Sequence, residues 1–271
     1  MENKVVLVTG ASSGMGKETC MLLAKHGYMV YGVARRKELL SELEGYGVKT
    51  MFLDLTDDKS MQDCVKYILD KEGKIDILIN NAGYGSFGTV EDVPLEEARK
   101  QVEVNLFGLA RMAQLVTPSM RKNNYGIIVN IASVGGRIWS PFGGWYHATK
   151  HAVEGLSHCM RMELEPFGID VIIVEPGVIK TNWGAIAKNN LINTSGNGAY
   201  SITARKAAAE IEKLYLNKLA SSPVKVAECI KKAISVKRPK PRYSTGFGSK
   251  ACIFLLKLVP IRVFDKFMLS L

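Results

Sequence analysis

The chain has 271 residues, 47% hydrophobic and 23% charged, which suits one α/β domain with an accessory segment and excludes a disordered or collagen-like chain. Its five cysteines lie far apart, with no CxxC pair and no metal-ligand spacing, and read as the reduced thiols of a cytosolic protein. The formal charge of +10 is uneven, since residues 237–271 hold Lys237, Arg238, Lys240, Arg242, Lys250, Lys257, Arg262 and Lys266 against Asp265 alone; that run lacks interleaved stacking aromatics and any recognisable module, which argues against nucleic-acid binding.

Met1-Glu2-Asn3-Lys4 runs straight into an apolar strand, Val5–Val8, too short for the core of a secretion signal and without a small-residue cleavage site. No stretch reaches the roughly 18–20 apolar residues that cross a bilayer, so a soluble, cytoplasmic protein is expected. Met15–His26 has helical apolar spacing and ends at Gly27, Tyr28–Ala34 is the next strand, and Glu38–Glu44 the next helix. Strand Val48–Leu53, helix Lys59–Lys71 and strand Ile75–Ile79 follow, then a long helix over Val104–Arg121 and strand Gly126–Ala132. A second long helix covers Trp145–Glu165, and Asp170–Val174 is strand. After Thr181 the rhythm breaks. Residues 183–223 hold a polar patch, Asn189–Ser201, and a helical run, Thr203–Leu219, an insertion expected to act as a mobile lid over the substrate. A helix at Val224–Val236 and a strand at Arg242–Thr245 close the series, and residues 246–271 form a basic amphipathic extension.

Strands of near-continuous Val, Ile and Leu need a sheet covered on both faces. The alternation predicts an α/β fold for residues 1–271, a Rossmann-type doubly wound parallel sheet in three α/β/α layers, with ligands at the carboxyl ends of the strands.

Thr9-Gly10-Ala11-Ser12-Ser13-Gly14-Met15-Gly16 joins the first strand to the first helix. Glycines without Cβ allow a tight turn and let a pyrophosphate approach the backbone. The helix N-terminus behind them offers unpaired N–H groups and a positive dipole end. The spacing is GxxxGxG rather than GxGxxG, and a plain flexible turn is the alternative; position directly after a buried strand favours phosphate. The second strand ends Val33-Ala34-Arg35-Arg36, without the acid that would hold an unmodified adenosine ribose. An arginine there accommodates a 2′-phosphate, so Arg35 favours NADP(H) over NAD(H), unless both arginines simply face solvent.

Tyr146-His147-Ala148-Thr149-Lys150 sets Tyr and Lys one helical turn apart on one face. A phenol titrates near pH 10 and is a poor base at neutrality; an ammonium one turn away, with a nicotinamide cation, is expected to lower that value and let the pair work as general acid and base. Ser133 follows the strand Gly126–Ala132, where its hydroxyl either hydrogen-bonds a substrate oxygen as charge develops or caps a turn. Asn105 opens the preceding helix, and an N-cap is its plain reading. His147, His151 and His158 share a helix face but read as packed or surface histidines, and no metal is expected.

Taken in order, TGASSGMG at 9–16, Asp54-Leu55, Asn80-Asn81-Ala82-Gly83, Asn105, Ser133, YHATK at 146–150 and Pro176-Gly177 with Thr181 resemble the classical short-chain dehydrogenase/reductase family over residues 4–181. The resemblance implies a dinucleotide cradled by Gly10, Ser12, Ser13, Gly14, Met15 and Gly16, with Asp54 and Leu55 at the adenine. It places Asn81, Ala82 and Gly83 on the adenosine side and Pro176, Gly177, Ile179 and Thr181 along the nicotinamide. Lys150 would hold the ribose hydroxyls and tune Tyr146, and Asn105 would bind a water that relays protons from Lys150. It also implies a homodimer or homotetramer through the two long helices. The chemistry then is hydride transfer at a carbonyl or carbinol carbon.

Tyr84, Phe87, Ile138, Trp139, Phe142 and Trp183 fall in the loops that would face the substrate and lean toward a bulky apolar alcohol or ketone, steroid-, retinoid- or lipid-like. The C-terminal segment resembles the hydroxysteroid- and retinol-dehydrogenase-like branch. It either folds back over the pocket or another subunit, or makes peripheral membrane contact. Three rivals stay open: a 3-oxoacyl thioester reductase, a non-catalytic cofactor-sensing protein that kept the fold, and a membrane-surface scaffold driven by the basic tail.

Overall fold

A computed structural model describes residues 4–270; the ends of the expected domain, residues 1–3 and 271, lie outside the described residues. Seven strands form one sheet: β1 (Val5–Thr9), β2 (Met29–Ala34), β3 (Lys49–Phe52), β4 (Ile77–Asn80), β5 (Gly126–Ile131), β6 (Ile169–Pro176) and β7 (Arg242–Thr245). Their order is β3-β2-β1-β4-β5-β6-β7, and every pairing is parallel. The order reverses between β1 and β4, which opens a crevice at the carboxyl ends of those strands.

Alternation along the strands explains the two cores. Val6 and Val8 of β1, Ile77 and Ile79 of β4, and Val129 of β5 pack on one face with α1 (Gly14–Lys25) and Val226 and Ile230 of a later helix, Pro223–Ser235. Val5, Leu7, Leu78 and Ile128 point the other way, against Val65 and Ile68 of the helix Asp58–Glu72 and Met112 and Val116 of the helix Gly108–Lys122. A one-residue register slip would turn each apolar set to the wrong face, so the pairing is strongly specified.

The predicted helix Glu38–Glu44 is broken. It becomes a 3-10 turn, Lys37–Leu39, and a single turn α2 (Ser41–Glu44), because Ser41 Oγ donates to Glu38 O at 3.1 Å and competes with the helical ladder. After α3 (Asp58–Glu72), a further helix, α4 (Leu95–Val102), precedes the predicted Val104–Arg121. It runs through a π-helical turn, Glu103–Phe107, into α5 (Gly108–Lys122) without a break. Asn105 therefore sits inside a continuous helical stretch and caps nothing. Single π turns of this kind recur at functional sites.

Helix α6 (Gly144–Leu164) follows β5 as expected. The polar patch Asn189–Ser201 is mostly helical: α7 (Trp183–Ser195) runs through three of its four asparagines, leaving only a short link that holds Asn197 before α8 (Ser201–Leu216). Ala187 and Leu191 of α7 are buried against Ala204 and Ala208 of α8, and small residues let the two helices approach closely. Helix α9 (Pro223–Ser235) precedes β7. The extension forms α10 (Ser249–Leu258) and α11 (Ile261–Ser270), with Pro260 at the break. Among the described residues no helix is long and apolar enough to cross a membrane.

Candidate active site

The loop from β1 to α1 is shaped by backbone contacts that leave no room for side chains. Gly10 has φ +70°, and a Cβ there would lie 2.8 Å from Ala82 Cα. A Cβ on Gly16 would fall on Gly10 O and Asn81 Nδ2. Asn81 Nδ2 donates to Thr9 O at 2.9 Å and Gly10 O at 3.2 Å, while Thr9 Oγ1 accepts from the backbone N–H groups of Asn81 and Ala82 at 3.1 Å. The ends of β1 and β4 are thus locked together around the loop. Helix α1 has no side-chain cap and no acid in its first turn, so its N–H groups and dipole face outward over Ser12, Ser13 and Gly14. Thr181 closes in from the β6 side, with its Cγ2 3.0 Å from where a Gly14 Cβ would stand.

Arg36, not Arg35, reaches this loop: its guanidinium donates to Ser12 Oγ at 3.2 Å and Ser13 Oγ at 3.4 Å. Arg35 is exposed at the end of β2 and lies toward Tyr84, near enough to act on its charge. Past β3, Asp54 Oδ1 accepts from Thr56 N and Oγ1, and Leu55 is buried where a Cβ on Gly108 would meet it at 2.7 Å. This set fits a dinucleotide: a cradle that any Cβ would fill, an uncapped helix end, and an arginine beside two hydroxyls.

The catalytic candidates converge at the ends of β5 and α6. Ser133 Oγ accepts from Gly135 N at 3.0 Å, so it is a turn cap, and it also hydrogen-bonds Tyr146. Lys150, 6% exposed, donates from Nζ to Ile131 O at 2.8 Å. Asn105 Oδ1 accepts from Tyr84 N at 3.0 Å while its Nδ2 donates to Tyr84 O at 2.8 Å and Thr149 Oγ1 at 3.2 Å. Gly83 brings these groups together, since a Cβ there would lie 3.0 Å from Asn105 Oδ1 and 3.7 Å from Lys150 Nζ. Pro176 ends β6, and Gly177 runs so close to Phe247 O that no side chain fits. Ile179 is buried, and Thr181 Oγ1 accepts from Trp183 N at 3.3 Å.

Burial pushes the Tyr146 phenol up to about 12, with the Ser133 hydrogen bond pulling the other way. The Lys150 ammonium is turned to the Ile131 carbonyl. Burial pushes Lys150 down to about 8, opposed by the charge of Glu154 one turn further along α6. Burial thus shifts both groups toward their neutral forms, although Lys150 still carries its proton at pH 7.

Rings crowd the phenol. Phe87, Trp183 and Tyr146 lie within 5.2–5.9 Å of one another by ring centroid, and Tyr215 of α8 stacks on Trp183 at 5.5 Å. Phe142 packs against the same cluster. Tyr84 joins the opposite core, and Ile138 is buried. Trp139 turns to the C-terminus, packing its ring on Phe264 at 5.3 Å and donating from Nε1 to Asp265 Oδ1 at 2.8 Å. Sequence reasoning missed Tyr215, whose distance along the chain leaves no local signal, and Arg36, whose side chain points back across the turn.

The three histidines part company. His147 Nδ1 lies 2.8 Å from Gly135 O and its Nε2 accepts from Ser140 N at 3.1 Å, an arrangement of the neutral ring that burial also favours. His151 Nδ1 lies 2.9 Å from His147 O, and His158 Nε2 lies 2.9 Å from the Arg242 guanidinium.

Residues 4–190 match the family model described as short chain dehydrogenase. The 3-ketodihydrosphingosine reductase of Bacteroides thetaiotaomicron is 37% identical over 248 residues, covering 91% of this chain and 89% of that protein. The NADPH-dependent 3-dehydrocapnine reductase of Ornithobacterium rhinotracheale is 34% identical over 277 residues, covering 97% and 95%. Among solved structures, a short-chain dehydrogenase from Streptomyces avermitilis superposes with a TM-score of 0.82 at 31% identity, covering 99% of this chain and 97% of that one.

Proposed function

The chain belongs to the short-chain dehydrogenase family of oxidoreductases, and from that premise we propose that it is an NADPH-dependent reductase of a bulky, lipid-like ketone. Gly10, Ser12, Ser13, Gly14, Met15 and Gly16 hold the diphosphate, and Arg36 with Arg35 holds the 2′-phosphate. Asp54 and Leu55 meet the adenine, Asn81, Ala82 and Gly83 border the adenosine, and Pro176, Gly177, Ile179 and Thr181 line the nicotinamide. The bound dinucleotide supplies the hydride. Tyr146 gives its proton to the carbonyl oxygen while Ser133 hydrogen-bonds that oxygen as charge builds. Lys150 binds the ribose hydroxyls, and Asn105 passes protons onward through water.

The observation that carries the substrate reading is the cage of Phe87, Trp183 and Tyr215 around Tyr146. Such a cage excludes water and receives an apolar chain. Two relatives that align over most of this chain are named for the reduction of 3-keto or 3-dehydro compounds, one of them a sphingoid base. A sphingoid-like 3-ketone is therefore favoured over a steroid or retinoid. The paired helices α7 and α8 serve as the lid. Phe107 at the start of α5 and Met162 on α6 are exposed, as an oligomer built on these helices requires. Five free cysteines agree with a cytoplasmic setting.

The first test is titration of the protein with NADPH and NADH, repeated for Arg36→Ala and Arg35→Ala. Tighter NADPH binding that Arg36→Ala weakens supports the cofactor half; a preference for NADH refutes it. Turnover of 3-ketodihydrosphingosine, compared with an acetoacetyl thioester, decides the substrate. Activity on the thioester alone favours the rival reductase, and tight cofactor binding without turnover of either favours a sensor.

A further inference from the structure

The helices α10 and α11 each bury one side and leave the other unpartnered. On the buried side, Ser249 Oγ donates to Glu175 O at 3.0 Å, and Phe264 is fully buried against Trp139. On the outer side, α10 exposes Lys250, Phe254, Lys257 and Leu258, which are spaced so as to form one stripe. Helix α11 exposes Ile261, Arg262, Val263, Lys266, Phe267 and Leu269. Phe254, Leu258, Ile261 and Leu269 are 63–69% exposed, a strongly apolar surface for a water-facing helix pair.

The charges on this face have one sign. Helix α10 contains no acid, and the one acid of α11, Asp265, is turned to Trp139 Nε1. Arg242, although part of the basic run, is spent inside the fold on Glu154 and Glu175. Lys250, Lys257, Arg262 and Lys266 are left among exposed Phe, Leu and Ile side chains. A second copy of this face would set like charge against like charge, and protein interface cores are poor in lysine. An anionic lipid surface satisfies both halves at once, with apolar side chains at the acyl boundary and lysines at the headgroups.

The geometry points to the outer face of α10–α11 as a docking surface for an anionic bilayer. The loop running from Ser133 to Trp139 is fastened to α11 by Phe264 and Asp265, so docking brings the bilayer beside the loop that carries a catalytic hydroxyl. A lipid-like ketone would then reach the site from the membrane surface, a consequence that rests on the ketone-reductase reading; the docking itself does not.

Co-sedimentation with vesicles of phosphatidylcholine containing phosphatidylglycerol, against phosphatidylcholine alone, tests the surface without any substrate. The wild type should pellet with the anionic vesicles and stay in solution with the neutral ones. Phe254→Glu with Leu258→Glu should abolish pelleting. Lys257→Gln with Arg262→Gln should weaken partition by roughly 25-fold, about five-fold per charge. NADPH binding unchanged in both variants shows that each is folded. A wild type that ignores anionic vesicles, or partitions equally to neutral ones, overturns the proposal, as does binding that neither variant disturbs. Sedimentation velocity reads the competing occupant: a wild-type dimer that Phe254→Glu with Leu258→Glu converts to monomer, without vesicle binding, assigns the face to a second copy. Reduction of a short, water-soluble ketone should be unchanged in both variants, so failure of docking and failure of the reductase reading are separable.

Discussion

Replacing Lys150 by methionine should make the protein more stable at neutral pH while removing its activity. Lys150 is 6% exposed, and burial pushes its ammonium down to about 8 from the ordinary 10.5. That gap corresponds to about 3 kcal/mol against folding whenever the buried group carries its proton. Methionine keeps most of the stem's volume and forfeits the hydrogen bond to Ile131 O, worth about 1.5 kcal/mol for a charged donor. The net expectation is a gain of about 1–2 kcal/mol at pH 7. The sign with pH follows from linkage. The folded value lies below the unfolded one, so between about pH 8 and 10.5 the unfolded chain holds more protons and wild-type stability rises with pH. The variant lacks this rise, and its advantage should shrink by about 2 kcal/mol by pH 9.5. Urea unfolding at pH 7 and pH 9.5, followed by far-ultraviolet circular dichroism, measures both quantities. A variant less stable than wild type at pH 7, or a stability difference that does not move with pH, would refute the reasoning.

Three further outcomes follow from contacts described above. Tyr146→Phe should lower turnover by roughly 10²–10⁴-fold with little change in NADPH affinity, because the ring cage remains and only the proton donor is lost; steady-state kinetics with a cofactor titration read both. Gly16→Ala places a Cβ on Gly10 O and Asn81 Nδ2, so NADPH affinity should fall at least about ten-fold, near 1.4 kcal/mol; unaltered affinity would show that the loop gives way cheaply. Phe264→Ala empties a fully buried site, at about 3–5 kcal/mol, and should release α11 first. Limited proteolysis should then cut within residues 249–270 while the core still unfolds as in wild type.

The five inner strands were readable from the sequence because parallel strands buried on both faces are written as short runs rich in Val, Ile and Leu. The edge strands β3 (Lys-Thr-Met-Phe) and β7 (Arg-Tyr-Ser-Thr) hold none of these residues and are not fully buried, and were placed by the rhythm of the neighbouring helices. Local competition was harder to read. Ser41 breaks a helix with one hydroxyl, and α7 forms through an asparagine-rich stretch because Ala187 and Leu191 meet Ala204 and Ala208. Packing partners on another helix, not the propensities of Asn189, Asn190 and Asn193, decide that segment.

The same division runs through the site. Tyr146 and Lys150 were legible because a spacing of four is a local fact about a helix, and Gly10, Gly14 and Gly16 because a strand–turn–helix has few solutions. Extending the α6 stripe by the same step gives Glu154 and His158, and nothing local explains a buried carboxyl there. Its partner is Arg242, 88 residues away on β7, which donates to Glu154 Oε2 and pairs with the fully buried Glu175 of β6. Arg137 also reaches Glu175, from the loop after Ser133. The strand that follows α9 therefore fastens the helix carrying Tyr146 and Lys150 to the strand that leads to Gly177. Breaking a buried ion pair on one side leaves a charge without compensation. The segment between β6 and β7 can vary in length so long as β7 returns Arg242 to that position, because this ion-pair cluster, and not the intervening helices, ties the helix of Tyr146 and Lys150 to the sheet.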